Sequence, residues 1–335
     1  VYRQAAKVHG CTFNGPVFFG VSHYHQGLDA RTNLYNSDAD FSGSVYRDDA
    51  YLHGCNYYGD ANLSRCTYFG EAVLAGSTYM RDAAFQSSVY YGYASLSSRC
   101  REHADFSHCV YFSDMDMYDS QYRGYTDFAH CVYYGNANFG ASSYEGTVSF
   151  SGSTYLGDVA MGQCRYEAGV DFSGSLYLGG PSREPAGMAG SSYGGAANFG
   201  QSIYCGTADI GESKFMAGAP SFDGCIFDPT VNNYFGNGPG GRYDIRLVGG
   251  FPAGARALSL SQAAQMGVHL RAIEALVASL YDVPPGTDAH RGVHQRVLEA
   301  CTVFARRVRS LCAVIFQRML PSPAVTPGSR RRLVS

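Results

Sequence analysis

Residues 39–93 read ADFSGSVYRDD, AYLHGCNYYGD, ANLSRCTYFGE, AVLAGSTYMRD and AAFQSSVYYGY, which are five consecutive units of 11 residues. The third position of each unit holds a large or apolar residue and the eighth holds tyrosine. A small residue lies two positions before each of them. The apolar column runs through Phe41, Leu52, Leu63, Leu74, Phe85 and Leu96, then, after a slip of one residue, through Phe106, Met117, Phe128, Phe139, Phe150, Met161 and Phe172. The tyrosine column runs through Tyr46, Tyr57, Tyr68, Tyr79, Tyr90, Tyr111, Tyr122, Tyr133, Tyr144, Tyr155, Tyr166 and Tyr177.

Each unit divides into a five-residue half and a six-residue half, both of the form small–x–large–x–x. Because alternate residues of an extended chain point to the same side, the small and large residues of one half face inward together. A corner after each half then turns the next pair inward. A repeat this short cannot bury its apolar side alone, so successive coils must stack. The sequence therefore predicts an all-β solenoid.

Glycine often follows the tyrosine by two positions, where the six-residue half has its extra residue. Because glycine adopts positive φ at little cost, we predict positive φ at these wider corners. The glycines concerned are Gly59, Gly70, Gly92, Gly124, Gly135, Gly146, Gly157 and Gly179.

The half-unit resembles the pentapeptide-repeat family, whose motif is A-(D/N)-(L/F)-x-x. Ala39-Asp40-Phe41, Ala61-Asn62-Leu63, Ala104-Asp105-Phe106 and Ala137-Asn138-Phe139 match that motif. The resemblance covers about residues 11–227 and implies a right-handed quadrilateral β-helix with about four units per coil. The alternation of five and six residues departs from the family and would give coils of about 22 residues. At about 4.8 Å per coil, some ten coils would form a rod roughly 45–50 Å long.

The columns are interrupted at two places. Near residues 99–103 (Arg-Cys-Arg-Glu-His) one residue is missing, and we expect Arg101 where a tyrosine is due. Between Phe172 and Phe199 there are five residues more than two periods, which predicts a loop around Gly180–Pro185. Beyond this loop we expect the stack to resume through Phe199, Tyr204, Ile210, Phe215, Phe222 and Phe227.

Charge divides the chain into two parts. Residues 1–235 contain 12 basic and 23 acidic residues, whereas residues 236–335 contain 13 basic and 5 acidic residues. We assign the solenoid to 1–235, a linker to 236–255, two amphipathic helices to 256–321 and a basic tail to 322–335. No apolar run approaches the ~20 residues of a membrane span, so an integral membrane protein is not expected. The composition also argues against collagen and against a basic nucleic-acid binder.

Apolar residues follow helical spacing after the linker. Met266, Leu270, Ile273, Val277 and Leu280 predict a helix over about 260–282, ended by the Pro-Pro-Gly at 284–286. A second helix over about 288–320 has one apolar stripe, made of Val297, Cys301, Phe304, Val308, Leu311, Ile315 and Met319, and another face that carries Arg296, Arg306, Arg307, Arg309 and Arg318. This pair either closes on itself, caps the solenoid end or binds a partner.

Cysteine and histidine are the residues most suggestive of chemistry, and their positions favour structural roles. Seven of the 11 cysteines occupy the small inward position, where cysteine behaves as a small apolar residue. There is no C-x-x-C motif, and this many free thiols favour a reducing compartment. His23 with His25, and His290 with His294, offer two metal ligands each, but no third ligand follows at standard spacing. We expect no cofactor, metal site or catalytic residue. The seven cysteines are Cys11, Cys55, Cys66, Cys109, Cys131, Cys164 and Cys225.

Acidic residues fill the last position of four successive repeats, at Asp49, Asp60, Glu71 and Asp82. With two repeats per coil, alternate members would stack at one corner and form a negative ridge. The simpler interpretation is a solvated corner that keeps the rod soluble. The family resemblance implies a sharper one, because some pentapeptide-repeat proteins imitate DNA by charge and shape and bind type II topoisomerases.

These patterns favour a non-enzymatic scaffold subunit of a larger protein assembly. Its partners would dock on the C-terminal helices, through Phe304, Leu311, Ile315, Arg296, Arg306 and Arg307, or on a solenoid face. We expect no direct contact with nucleic acid, and peripheral membrane association stays open. The chain begins at Val1 without methionine, which fits a processed organellar protein, and the resemblance extends this to a plastid. The alternatives are a DNA mimic and, more weakly, a surface enzyme of the hexapeptide-repeat type.

Overall fold

The repeating part of the chain winds into a parallel β-solenoid of about ten turns. A computed structural model describes residues 1–179 and 186–319, with side chains described as far as Cys312 in the last helix. Strand pairing joins residues that are 22 apart, so that Ala61 pairs with Ala39 on one side and with Ala83 on the other. Two 11-residue units therefore make one coil, as predicted.

Four parallel sheets form the sides of the solenoid, and their strands are almost all two residues long. Among the described residues, the first sheet contains Ala6–Lys7, Leu28–Asp29, Ala50–Tyr51, Ala72–Val73, Ala94–Ser95, Met115–Asp116, Ala137–Asn138, Val159–Ala160, Ala186–Gly187 and Ala208–Asp209. The second contains Thr12–Phe13, Leu34–Tyr35, Asn56–Tyr57, Ser77–Tyr79, Ser98–Cys100, Gln121–Tyr122, Ser143–Tyr144, Arg165–Tyr166, Ser192–Tyr193 and Lys214–Phe215. The third contains Val17–Phe18, Ala39–Asp40, Ala61–Asn62, Ala83–Ala84, Ala104–Asp105, Thr126–Asp127, Val148–Ser149, Val170–Asp171 and Ala197–Asn198. The fourth contains His23–Tyr24, Val45–Tyr46, Thr67–Tyr68, Val89–Tyr90, Val110–Tyr111, Val132–Tyr133, Thr154–Tyr155, Leu176–Tyr177, Ile203–Tyr204, Ile226–Phe227 and Arg256–Ala257.

The core consists of side chains stacked in columns along the rod. Tyrosines of the second and fourth sheets point inward, and Tyr90, Tyr111 and Tyr133 are at most 1% exposed. In the fourth sheet the ring of Tyr111 lies 4.8 Å from Tyr90 and 5.0 Å from Tyr133, with the planes within 5° of parallel. Beside the third sheet, phenylalanine rings stack in the same way, as Phe106 and Phe128 do at 4.9 Å. The predicted columns are therefore the core.

The acidic or amide residue of the repeat motif closes the five-residue corner. Asp40 accepts a hydrogen bond from the backbone N–H of Ser42 at 2.9 Å, and Asp105 accepts one from Ser107 at 2.9 Å. The next residue of these corners has positive φ, for example 64° at Gly43. Such side-chain-to-backbone bonds mimic a turn, which explains the preference for Asp and Asn after the small residue.

The glycines after the tyrosines serve close packing between coils and not positive φ. Of the eight, Gly179 alone has positive φ, at 63°. A Cβ added to Gly92 would lie 2.3 Å from the carbonyl oxygen of Gly70, one coil away. The predicted reason for these glycines is therefore wrong except at Gly179, because what selects them is backbone contact between neighbouring coils.

The first break in the columns lies earlier in the chain than predicted. Tyr79 pairs with Cys100, 21 residues later, and Cys100 pairs with Tyr122. Cys100 therefore occupies the tyrosine position and is buried, whereas Arg101 is exposed. The expectation for Arg101 is wrong because the missing residue belongs to the corner after Leu96, ahead of residues 99–103.

Five residues are inserted at the second break, where Val159 pairs with Ala186 at a separation of 27. The predicted loop over Gly180–Pro185 lies outside the described residues. After it the stack continues as expected, and each of the residues predicted to continue it is buried: Phe199, Tyr204, Ile210, Phe215, Phe222 and Phe227.

Residues 228–257 close the last coil, although most of them were expected to form a linker. Tyr234 bridges to Asp209, and Arg256 pairs with Ile226. Ile245 is buried in the solenoid core, and Leu247–Val248 pairs antiparallel with Phe251–Pro252. The segment 236–255 thus belongs to the solenoid end, and its lack of an 11-residue period hid this from sequence inspection.

Two helices follow and pack against each other. α1 covers Leu260–Tyr281 and α2 covers Asp288–Met319, close to the predicted ranges. α1 begins with a capping box, in which the Ser259 side chain accepts from the N–H of Gln262 and the Gln262 side chain accepts from the N–H of Ser259.

Alanine substitution at two glycines should shift stability in opposite directions. Gly92→Ala should destabilise the protein by about 1–3 kcal/mol, because its methyl group meets the backbone of the next coil. In the control Gly292→Ala, the methyl group on α2 has nothing within 4 Å. This control should stabilise by up to about 1 kcal/mol through helix propensity. Denaturant unfolding followed by circular dichroism measures both changes, and a neutral Gly92→Ala would contradict the proposed backbone contact.

Candidate functional site

The outer face of the fourth sheet is apolar in its later coils. The residues before its tyrosines include Val110, Val132, Leu176 and Ile203, with Thr154 as a polar exception, and those after them include Phe112, Tyr134, Leu156 and Leu178. The matching positions of the second sheet, 11 residues away, are polar, as at Gln121, Ser143, Arg165 and Ser192. This contrast has a period of 22 residues, so an 11-residue comparison averages it out.

The two helices lie along this apolar face. The Tyr281 hydroxyl at the end of α1 donates to the carbonyl of Phe112 at 3.1 Å, and Arg309 of α2 donates to the carbonyl of Gln201 at 3.2 Å. Between these points the buried residues of helix and sheet form one apolar cluster, which includes Phe112, Leu156, Leu178, Ile203, Met266, Leu270, Ile273, Val297, Phe304 and Val308. The helices are therefore a lateral cover of the solenoid.

This arrangement decides where the candidate contact residues of α2 lie. Phe304 is 2% exposed within the helix–sheet cluster, and Leu311 is half-buried at its edge. Arg296, Arg306 and Arg307 are exposed. The Ile315 side chain lies outside the described residues. The helix pair does not cap the solenoid end, and the described part of its apolar stripe is already occupied within the chain.

Apolar contact, with few polar links, holds the helices to the acidic solenoid. The ion pair of Arg123 with Glu145 joins adjacent coils of the solenoid, and that of Arg291 with Asp288 lies within α2. Arg307 lies 2.8 Å from the His269 ring nitrogen, which links α2 to α1. The basic face of α2 thus points mostly to solvent.

Two of the four acidic candidates serve the backbone of the adjacent coil. Asp49 accepts from the N–H of Glu71 at 2.9 Å, and Asp82 accepts from the N–H of His103 at 3.2 Å. Asp60 and Glu71 are exposed. The contact between Asp49 and Glu71, which are 22 residues apart, confirms that these two alternate members stack at one corner. Asp49 and Asp82 therefore link adjacent coils, which leaves Asp60 and Glu71 as the candidates with freer side chains.

Two histidines of α2 are inserted between the helix and the aromatic face. His290 is 4% exposed, and its ring packs edge-on against Tyr91 and Phe112 at 5.2 and 4.7 Å. The Nδ1 atom of His294 lies 2.7 Å from the Tyr134 hydroxyl. Burial lowers the pKa of His290. Burial and, secondarily, His290 lower the pKa of His294. Sequence inspection paired these histidines but not their aromatic partners.

The cysteines occupy positions that suit packing. Six of the seven predicted inward cysteines are buried, whereas Cys11 in the first coil is exposed. The Cys55 thiol donates to the carbonyl of Ala30 at 3.2 Å. Burial raises the pKa of Cys66 and of Cys164 to about 11, which keeps these thiols protonated at neutral pH. Among residues 1–179 and 186–319, no three His, Cys, Asp or Glu residues gather as a metal site.

Comparison with known proteins found no match. No family model, no curated protein and no solved structure matches this chain. The resemblance to pentapeptide-repeat proteins therefore rests on the repeat motif and remains a resemblance. Within the described part of the chain, neither helix is both long and apolar enough to cross a bilayer.

A charge placed under α2 should release the helices from the solenoid. Val297 is fully buried, so Val297→Asp should weaken docking by roughly 3–5 kcal/mol, because an unpaired buried charge results. In the control Val303→Asp, position 303 on the same helix is 46% exposed and should tolerate the charge. Limited trypsin digestion of α2 and binding of an apolar dye measure release. Equal protease resistance of the two variants would show that the cover does not depend on this face.

Helix docking should weaken as the pH falls below about 6.5, the ordinary pKa of histidine. His290 and His294 have lowered pKa values when docked, so the undocked state binds protons first on acidification. Docking is then complete above pH 6.5 and is lost progressively below it. Hydrogen exchange of α2 amides, corrected for intrinsic rates, measures this.

His290→Phe keeps a ring against Tyr91 and Phe112 but cannot titrate, so it should reduce the pH dependence. His25→Gln, at an exposed position on the solenoid, is the control. A pH dependence that His290→Phe leaves unchanged would exclude this histidine as its source.

Proposed function

We propose that this protein is a non-enzymatic scaffold subunit that holds other proteins on the uncovered faces of its solenoid. The observation that supports this proposal is the division of the four faces. The helices cover the fourth sheet, whereas the outer surfaces of the first, second and third sheets carry no covering element among the described residues. The stacked core makes those three surfaces parts of one stiff body.

The second sheet is the face we favour for docking. In the order of the chain around each coil it lies opposite the fourth sheet, away from the helices. Exposed tyrosines border it: Tyr58 follows one of its strands and is 50% exposed, while Tyr118 (50%) and Tyr125 (41%) flank another. Tyrosine is enriched in protein interfaces because it offers apolar area and a polar tip at low entropic cost.

The helices are less suited to the docking role in this proposal. Their apolar stripe is already in contact with the solenoid, which leaves the exposed arginines of α2 as a weaker, solvated contact surface. Their role is to complete the body by covering the apolar fourth face. Eleven free cysteines favour a reducing compartment for the assembly.

A DNA mimic that binds a type II topoisomerase is the second candidate. Support for it comes from the acidic corners, where Asp38 and Asp60, and Asp49 and Glu71, lie on successive coils. The negative charge of residues 1–235 also supports it. The row of stacked acidic residues is short, because the next positions along the two corners, after Glu71 and Asp82, hold Tyr93 and His103.

Native affinity capture with the full chain and its variants tests the scaffold proposal. The triple variant Tyr58→Ser, Tyr118→Ser, Tyr125→Ser should lower affinity for stoichiometric partners about 10–100-fold, because interface tyrosines often contribute 1 kcal/mol or more each. Arg306→Ser with Arg307→Ser is the matched control and should change it less than about threefold. Partners lost with the arginines and kept by the tyrosine variant would move the docking site to the helices. A topoisomerase lost only with Asp60→Asn and Glu71→Gln would favour the DNA mimic.

A further inference from the structure

The first half of α1 and the later part of α2 lie side by side and share one outward surface. Arg307 of α2 lies 2.8 Å from a ring nitrogen of His269 of α1, and Gln262 of α1 donates to a backbone carbonyl of α2 at 3.5 Å. The buried stripes of both helices face the fourth sheet, so the opposite side of each helix faces solvent. The exposed residues of 260–273 and 300–312 on that side form a surface that we call the outer helix face.

The outer helix face carries positive charge. Neither of its two segments contains an acidic residue, whereas Arg271, Arg306 and Arg307 are all exposed. Arginine, and not lysine, supplies this charge. Because a planar guanidinium pairs with two phosphate oxygens at once, the outer helix face suits an anionic surface that presents phosphate groups.

Two valines are exposed among these arginines. Val268 adjoins His269 and is 58% exposed, and Val303 lies one helical turn before Arg307 and is 46% exposed. Because Arg307 contacts His269, both valines lie near the same point of the outer helix face. A nucleic-acid backbone would pair with the arginines but leave the valines in water. An anionic lipid bilayer offers phosphate groups at its surface and acyl chains just below them, so it matches both kinds of residue.

We infer that the outer helix face binds the surface of an anionic lipid bilayer. The arginines contact lipid phosphates, and Val268 and Val303 enter the boundary between head groups and acyl chains. The negatively charged solenoid then lies behind the helices, away from the like-charged lipids. This binding is independent of the scaffold proposal, and it directs the second sheet, which lies opposite the helices, away from the bilayer.

Co-sedimentation of the full chain with lipid vesicles tests this inference. The vesicles contain phosphatidylcholine alone, or phosphatidylcholine with about 30% phosphatidylserine, which gives a negative surface potential. We expect at least about tenfold tighter binding to the anionic vesicles, because each arginine near such a surface adds to the attraction. Salt at about 0.5 M should remove most of this preference by screening. Equal binding to both vesicles, or binding to neither, would overturn the proposal.

Substitution of arginine pairs locates the contact. Arg306→Ser with Arg307→Ser should weaken binding to the anionic vesicles at least about tenfold. The matched control is Arg99→Ser with Arg123→Ser, which removes the same charge from exposed positions on the side of the second sheet. It should change binding less than about threefold, because those positions face away from the bilayer. Equal effects of the two pairs would contradict the assignment.

Substitution of the valines separates a bilayer from other polyanions. Val268→Ser with Val303→Ser should weaken vesicle binding about fivefold, because apolar area is lost. It should leave retention on a heparin column unchanged, because the charge is preserved. Vesicle binding that the valine variant leaves unchanged would overturn the proposal in favour of a purely electrostatic contact with a polyanion such as nucleic acid.

The basic tail is the remaining source of vesicle binding that the experiment must separate. The arginines at 330–332 lie outside the described residues, and serine replaces all three in a tail variant. We expect the tail variant to bind vesicles more tightly than the variant at Arg306 and Arg307 does. The reverse order would place the contact in the tail and overturn the proposal. Circular dichroism checks that every variant is folded.

Discussion

Face-to-face stacking of aromatic rings at the spacing of the coils is the interaction on which the rest of the structure depends. Backbone hydrogen bonds hold neighbouring strands about 4.8 Å apart. The rings of Tyr68, Tyr90, Tyr111 and Tyr133 repeat at 4.8 to 5.0 Å, so each ring contacts the next without tilting. Because the ladder and the rings share one repeat distance, the same residue serves in nearly every coil. The small residues two positions earlier, and the glycines at the wide corners, leave room for this stack.

Each coil of such a stack is stabilised by contact with its neighbours. The end coils and any apolar outer face must therefore be covered by other parts of the chain. Residues 228–257 close the C-terminal end by placing Ile245 and Phe251 against the last coil. The fourth sheet has apolar residues outside as well as inside, and α1 and α2 cover them. The solenoid, the end segment and the helices therefore form a continuous structure, although the charge of the sequence divides them. The carboxylates of Asp49 and Asp82 take part as well, since each accepts a backbone N–H of the next coil.

Features fixed by local pattern were predictable, and features fixed by contact between distant segments were not. The 22-residue coil and both helices follow from periodicity, because the spacing of apolar residues directly reflects the geometry of a coil or of a helix. Arg101 was assigned to the tyrosine position that Cys100 holds, because the missing residue belongs to the corner after Leu96 and the column of large residues does not show which corner is shortened. Gly92 was assigned to positive φ because the carbonyl of Gly70, one coil away, is invisible along the chain. The end segment and the helix-covered face were not predicted for the same reason. The apolar outer face becomes visible only when the repeat is aligned at 22 residues, because Val132 of the fourth sheet and Gln121 of the second sheet occupy the same position of the 11-residue unit.

The solenoid also separates residues that make the fold from residues free to make contacts. Stacking determines which residues occupy the inward positions. Outward positions are constrained only by solvent or by the segment that covers them, so an apolar residue at an outward position indicates a contact. On the fourth sheet most outward positions of the later coils are apolar, and the helices cover them. At the border of the second sheet, Tyr58, Tyr118 and Tyr125 remain exposed beside charged pairs such as Arg123 with Glu145. Neither stacking nor solubility requires those tyrosines, and this is the reason for proposing that a partner docks on that face.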